Sequence, residues 1–167
     1  MVTRAMSGKA RALLLFLRAR KLKFAAAESC TGGLLTAALT EIPGSSDVVD
    51  RGFVTYSNAA KQAMLGVPAR TLAKFGAVSR QTAIAMAKGA LSHSEADITA
   101  SITGVAGPGG GTKQKPVGLV HIAVAGSGRI IHRECRFGDI GRAKVREKSV
   151  LEAFAMVRAL TRKRRGK

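Results

Sequence analysis

Apolar positions recur along the chain at two spacings, and each predicts a different element. Residues 4–20 read as an amphipathic helix, with Leu13, Leu14 and Leu17 on one face and Arg11, Arg18 and Arg20 around it. Lys23 to Ala27 is short and apolar enough for a buried strand. It ends at Glu28-Ser29-Cys30-Thr31-Gly32-Gly33, and Leu34 to Leu39 then reads as a helix that Pro43-Gly44-Ser45-Ser46 breaks. Arg51 to Ser57 alternates and is rich in Val, Thr and aromatics, which predicts a second strand. Asn58 is placed to cap a helix through Leu65, and Ser79 to cap another that runs to Leu91. Ile98 to Ile102 predicts a strand that runs into the loop Thr103 to Gly111. Val117 to Ala125 and Arg129 to Phe137 predict a hairpin turned at Gly126-Ser127-Gly128. A long helix from Gly141 to Leu160 ends the pattern. Helices alternating with strands, plus one hairpin, predict an α/β fold: a three-layer α/β/α sandwich around a mixed sheet.

Length and composition narrow this picture. The 167 residues fit one domain, expected over 1–160, followed by a basic tail over 161–167 expected to be disordered. An apolar content of 46% argues against extended disorder. No apolar run approaches the roughly 18–20 residues that span a bilayer. The short run Ala12 to Leu17 is flanked by Arg11 and Arg18 and has no cleavage site of small residues. The expectation is a cytoplasmic protein with no membrane partner. Two cysteines, Cys30 and Cys135, and three scattered histidines show no zinc spacing, so neither metal nor cofactor is expected.

The formal charge of +18 first suggests nucleic acid. Its distribution weakens that reading. Residues 1–23 carry seven cations and no acid, and residues 141–167 carry ten cations and two acids. The ends therefore hold +15 of the +18, leaving +3 on the body. With no Trp and one Tyr, a stacking surface for single strands is poorly supplied. Nucleic acid remains a partner only through the basic ends.

Three polar, glycine-rich segments are candidate ligand loops: residues 28–33, 44–47 and 103–111. In open α/β sheets ligands bind at the carboxyl ends of strands, where backbone N–H groups favour anions. Neither 31–33 nor 104–111 fits a Walker or dinucleotide fingerprint. Ser46, Tyr56 and Lys61 form a sharper constellation. A lysine desolvated beside a pocket can lose its proton and act as general base for a serine hydroxyl, with a tyrosine relaying the proton. The competing reading has Lys61 solvated, Tyr56 packed on the core and Ser46 capping a turn. Ser29 also sits at a strand-to-helix turn, without the Gly-x-Ser-x-Gly pattern of a nucleophile elbow. Cys30 is a candidate thiol nucleophile or a small buried residue.

These segments resemble the C-terminal domain of CinA. The resemblance rests on six blocks in order: Ala27 to Gly33, Pro43 to Ser46, Val54 to Asn58 with Lys61, Gly76 to Ser79, Ser101 to Pro108 with Gly110 and Gly111, and Lys115 to Gly118. It implies an amidohydrolase that converts nicotinamide mononucleotide (NMN) to nicotinate mononucleotide and ammonia, within pyridine-nucleotide salvage and without a metal. It places the family's catalytic serine, tyrosine and lysine on Ser46, Tyr56 and Lys61. Substrate contacts are then expected from Glu28, Ser29, Thr31, Gly32, Gly33, Ser45 and Asn58. Thr103, Gly104, Ala106 and Gly107 would add donors, and Arg142 and Arg146, four residues apart on one helix, would take the phosphate. A homo-oligomer, expected to be a dimer, goes with this reading. Two alternatives stand beside it: a family member that binds nucleotide without turnover, and a basic nucleic-acid binder.

Overall fold

The structure, a computed structural model, describes residues 1–161. Helix α1 (Arg4–Arg18) leads into strand β1 (Phe24–Glu28), and α2 (Leu34–Thr40) into a 3-10 turn over Ser45–Asp47. Strand β2 (Val49–Val54) is followed by α3 (Asn58–Leu65), α4 (Ala69–Phe75) and α5 (Arg80–Ser92). Strands β3 (Ile98–Gly104), β4 (Leu119–Gly126) and β5 (Arg129–Arg136) precede the last helix, α6 (Arg142–Thr161). Thr161 is thus helical, and the rest of the expected basic tail, 162–167, lies outside the described residues.

The sheet has the order β2-β1-β3-β4-β5. Strands β2, β1 and β3 run parallel, and β4 and β5 are antiparallel to their neighbours. This is the expected mixed sheet. Alternation along β1 divides the core in two: Phe24 and Ala26 pack under α1, α2 and α6, while Ala25 and Ala27 face α3, α4 and α5. Leu14 and Leu17 anchor α1 on the first side at 2% and 0% exposure. Truncating either to Ala should cost about 2–5 kcal/mol.

The second side is built from small residues, so α5 lies close to the sheet. Thr99 and Ser101 donate to the α5 carbonyls of Ala87 and Ala83 at 2.8 and 2.6 Å. Those bonds satisfy hydroxyls that would otherwise be buried at a cost. On the outer side of α5, a Cβ at Gly89 would fall 1.9 Å from the Leu65 carbonyl oxygen, so only glycine lets α3 approach.

Local chemistry departs from expectation at two places. Ser57, not Asn58, caps α3, because its Oγ accepts from the Ala60 N–H at 3.0 Å. Helix α4 was not signalled, since its seven residues bury only Leu72 and so show no periodicity. Ser79 caps α5 as expected, accepting from the Thr82 N–H at 3.2 Å. The hairpin turns on Ser127 and Gly128, both at positive φ as a two-residue primed turn requires.

Candidate active site

Ser29 is the first residue beyond β1. Its N–H donates to the Ile102 carbonyl at 2.9 Å, which extends the β1–β3 ladder by one residue and fixes Ser29 at the carboxyl seam of the two strands. The chain then turns through Gly32 and Gly33 at φ +55° and +88°. Side chains rarely adopt those angles, which accounts for two adjacent glycines.

Lys61 enters from α3 and is buried, at 1% exposure. Its Nζ lies 3.0 Å from Ser29 Oγ and donates to the carbonyls of Thr55 at 2.8 Å and Tyr56 at 3.4 Å. No carboxylate pairs with it among the described residues. Burial therefore pushes its pKa below the ordinary 10.5, against a lesser opposing effect from Cys30. A neutral amine has two N–H donors and one lone pair. Such an amine can donate to the two carbonyls and accept from the hydroxyl, whereas an ammonium would donate to all three.

These groups sit at a cavity of about 300 Å³, also lined by Cys30, Tyr56, Thr103, Gly104, Ala106 and Arg142. The Cys30 thiol is pushed up to about 12, chiefly by burial, so thiolate is scarce at neutral pH and the thiol reading falls.

Several expected residues lie elsewhere. Ser46 is on the opposite edge of the sheet, before β2 begins, and is exposed. Its carbonyl accepts from Lys23 Nζ at 3.5 Å, and Lys23 immediately precedes β1. The length of β1, roughly 16 Å at about 3.3 Å per residue, separates it from Ser29 and Lys61. The Ser46–Tyr56–Lys61 trio is therefore corrected: Lys61 meets Ser29. Ser45 shares the wrong edge with Ser46.

Tyr56 does not lie between a serine and Lys61. Its ring is 60% exposed at the cavity rim, its hydroxyl accepts from Arg142 Nη2 at 3.0 Å, and only its carbonyl meets Lys61. Glu28 is corrected from ligand contact to helix cap. Fully buried, its carboxylate accepts from the N–H groups of Leu35 at 3.0 Å and Thr36 at 2.9 Å, and from Thr36 Oγ1 at 2.8 Å. Asn58 is exposed in the first turn of α3 and does not line the cavity.

The two arginines divide. Arg142 lines the cavity and spans it, donating from Nη1 to the Gly107 carbonyl at 3.0 Å and from Nη2 to Tyr56. Arg146 instead braces the turn from behind, donating to the Thr31 carbonyl at 2.6 Å. It does not line the cavity, nor do Thr31, Gly32, Gly33 and Gly107. Thr103 lines it, with its hydroxyl committed to the Ala77 carbonyl at 2.8 Å. Gly109 and Gly110 of the expected 103–111 loop line it, and so do Ala77 and Val78, which were not expected. Their signal was the Gly76 to Ser79 block, which looks in sequence like a plain helix entry.

Comparison with known proteins agrees with this architecture. The solved structure of competence/damage inducible protein CihA from Agrobacterium tumefaciens is 52% identical with a TM-score of 0.95, covering 97% of this chain and 99% of that one. A CinA superfamily protein from Escherichia coli is 32% identical at a TM-score of 0.89, over 96% of this chain and 94% of that one. The putative competence-damage inducible protein of Caldicellulosiruptor bescii is 52% identical over 83% of this chain and 34% of its own length. The chain spans about a third of the length of such curated relatives. The family model of the CinA C-terminal domain matches residues 7–161, and the chain belongs to that family.

Proposed function

We propose that the chain is an amidohydrolase that converts NMN to nicotinate mononucleotide and ammonia, with Ser29 as nucleophile and Lys61 as its base. One observation carries this reading: a buried lysine, unpaired with any acid among the described residues, 3.0 Å from a serine hydroxyl at the wall of a cavity. The substrate is the one that the family resemblance implies.

Neutral Lys61 takes the Ser29 hydroxyl proton as Oγ bonds to the carboxamide carbon. Backbone N–H groups hold the oxyanion, each worth about 3–4 kcal/mol. Lys61 then returns the proton to the departing nitrogen, which leaves as ammonia. Water attacks the acyl-enzyme, gives a proton to Lys61, and the serine is restored. Tyr56 has no part in the proton path in this reading. Its hydroxyl and Arg142 stand at the cavity mouth, where Arg142 can exchange the Gly107 carbonyl for the phosphate.

The Ser29–Lys61 contact favours turnover over nucleotide binding alone, and the +3 body disfavours a nucleic-acid role for the site. The test is to incubate the purified protein with NMN and measure ammonia and nicotinate mononucleotide. Stoichiometric release of both is expected, and release no greater than from Ser29→Ala overturns the reading.

A further inference from the structure

Three successive carbonyls between α4 and α5 are each held by a side chain. The Phe75 carbonyl accepts from Lys115 Nζ at 2.6 Å, and the Ala77 carbonyl from Thr103 Oγ1 at 2.8 Å. Between them, the Gly76 carbonyl accepts from Thr82 Oγ1 at 2.7 Å and Ser79 Oγ at 3.0 Å. The holders come from the β3–β4 loop, the end of β3 and the start of α5. Gly76 is at φ +74°, and a Cβ there would lie 2.8 Å from Lys115 Nζ, so glycine admits the lysine.

A trans peptide sets its N–H opposite its C=O. Pinning the Gly76 and Ala77 carbonyls therefore also fixes the direction of the Ala77 and Val78 N–H groups. Neither N–H has an acceptor among the described residues, and both residues line the cavity that holds Ser29 and Lys61. An N–H free at a cavity wall is available to an acceptor bound there. The place is right as well. Ser29 is bonded to β3 one residue before Thr103, and the 75–78 segment joins α4 to α5 in the same layer as α3, which carries Lys61.

We propose, on the basis of the amidase reading, that the Ala77 and Val78 N–H groups are the donors that receive the acyl oxygen as it becomes an oxyanion. Thr103, which holds the Ala77 carbonyl, and Thr82, which holds the Gly76 carbonyl, are positioning residues that aim them. Donors held rigid before the reaction need no reorganisation when charge develops, which is how such a pair lowers a barrier.

A methylphosphonofluoridate tests the pair without relying on NMN. Ser29 Oγ bonds to phosphorus, fluoride leaves, the hydroxyl proton passes to Lys61, and the phosphonyl oxygen occupies the oxyanion position. In amide proton–nitrogen spectra of the labelled protein, the Ala77 and Val78 signals are expected to move downfield. A labelled protein in which they stay put, or in which Cys30 and Ala106 move instead, overturns the donor pair and leaves the nucleophile standing. A protein that takes no label overturns both. With NMN, Thr103→Val should lower kcat about tenfold, less than the 10²–10³ of losing a whole donor, with KM little changed and Thr103→Ser restoring the rate. A rise in KM with kcat intact overturns the positioning role.

Discussion

The two ends of the parallel strands offer similar residues and different chemistry. At the amino end, Ser46 and Lys23 meet in solvent, and the lysine reaches only the serine's carbonyl at 3.5 Å. At the carboxyl end, Ser29 and Lys61 meet under cover, hydroxyl to amine, at 3.0 Å. At the first end both side chains stand in solvent, and at the second burial disfavours the charge on Lys61. In the proposed reaction, what distinguishes the serine and lysine that act is the environment that the sheet's carboxyl edge supplies.

Swapping serines is the sharpest way to break that contrast. Ser29→Ala should lower kcat for NMN by at least about 10³-fold, while Ser46→Ala leaves it unchanged, as product assays would read. The reverse result would restore the rejected trio. The lysines come next. Lys61→Met should cost about 10²–10⁴-fold, and Lys23→Met nothing. In the wild type, kcat/KM should rise with pH through a midpoint below 10.5, because the base must be neutral and burial lowers its pKa.

A smaller effect separates the arginines. Arg142→Met should raise KM for NMN by roughly tenfold, the lower end of a charge-assisted contact, and should barely affect nicotinamide riboside, which lacks the phosphate. Arg146→Met should instead lower Tm, since Arg146 braces the Thr31 turn. Glu28→Gln should cost about 1–3 kcal/mol in denaturant unfolding, through the α2 cap. The smallest effect is on pH-dependent stability. Between the lowered pKa of Lys61 and 10.5 the unfolded chain holds a proton that the folded one lacks, so stability rises with pH across that window. Lys61→Met should flatten that slope in urea titrations.

Much of the fold was legible because its signals are local. The period of the Leu13, Leu14 and Leu17 stripe, the Ser79 cap and the Ser127-Gly128 turn each act within a few residues. Helix α4 escaped because it buries a single residue. The site was legible in part. Lys61 was placed, but spacing and the family resemblance joined it to Ser46, whereas the fold brings it to Ser29. Glu28, beside the serine, looked like a ligand group although its carboxylate serves the α2 backbone.

By itself, the sequence determined the element types, the mixed α/β class and the set of loops where chemistry can sit, since periodicity, caps and turn residues are short-range. Only the tertiary structure decided which serine meets Lys61. That choice depends on which edge of the sheet each loop occupies, and the parallel pairing of β1 with β2 and β3 sets the edge. Packing of α3 on that sheet buries Lys61, so the property that the proposed reaction needs of it belongs to the packed core and not to the residue.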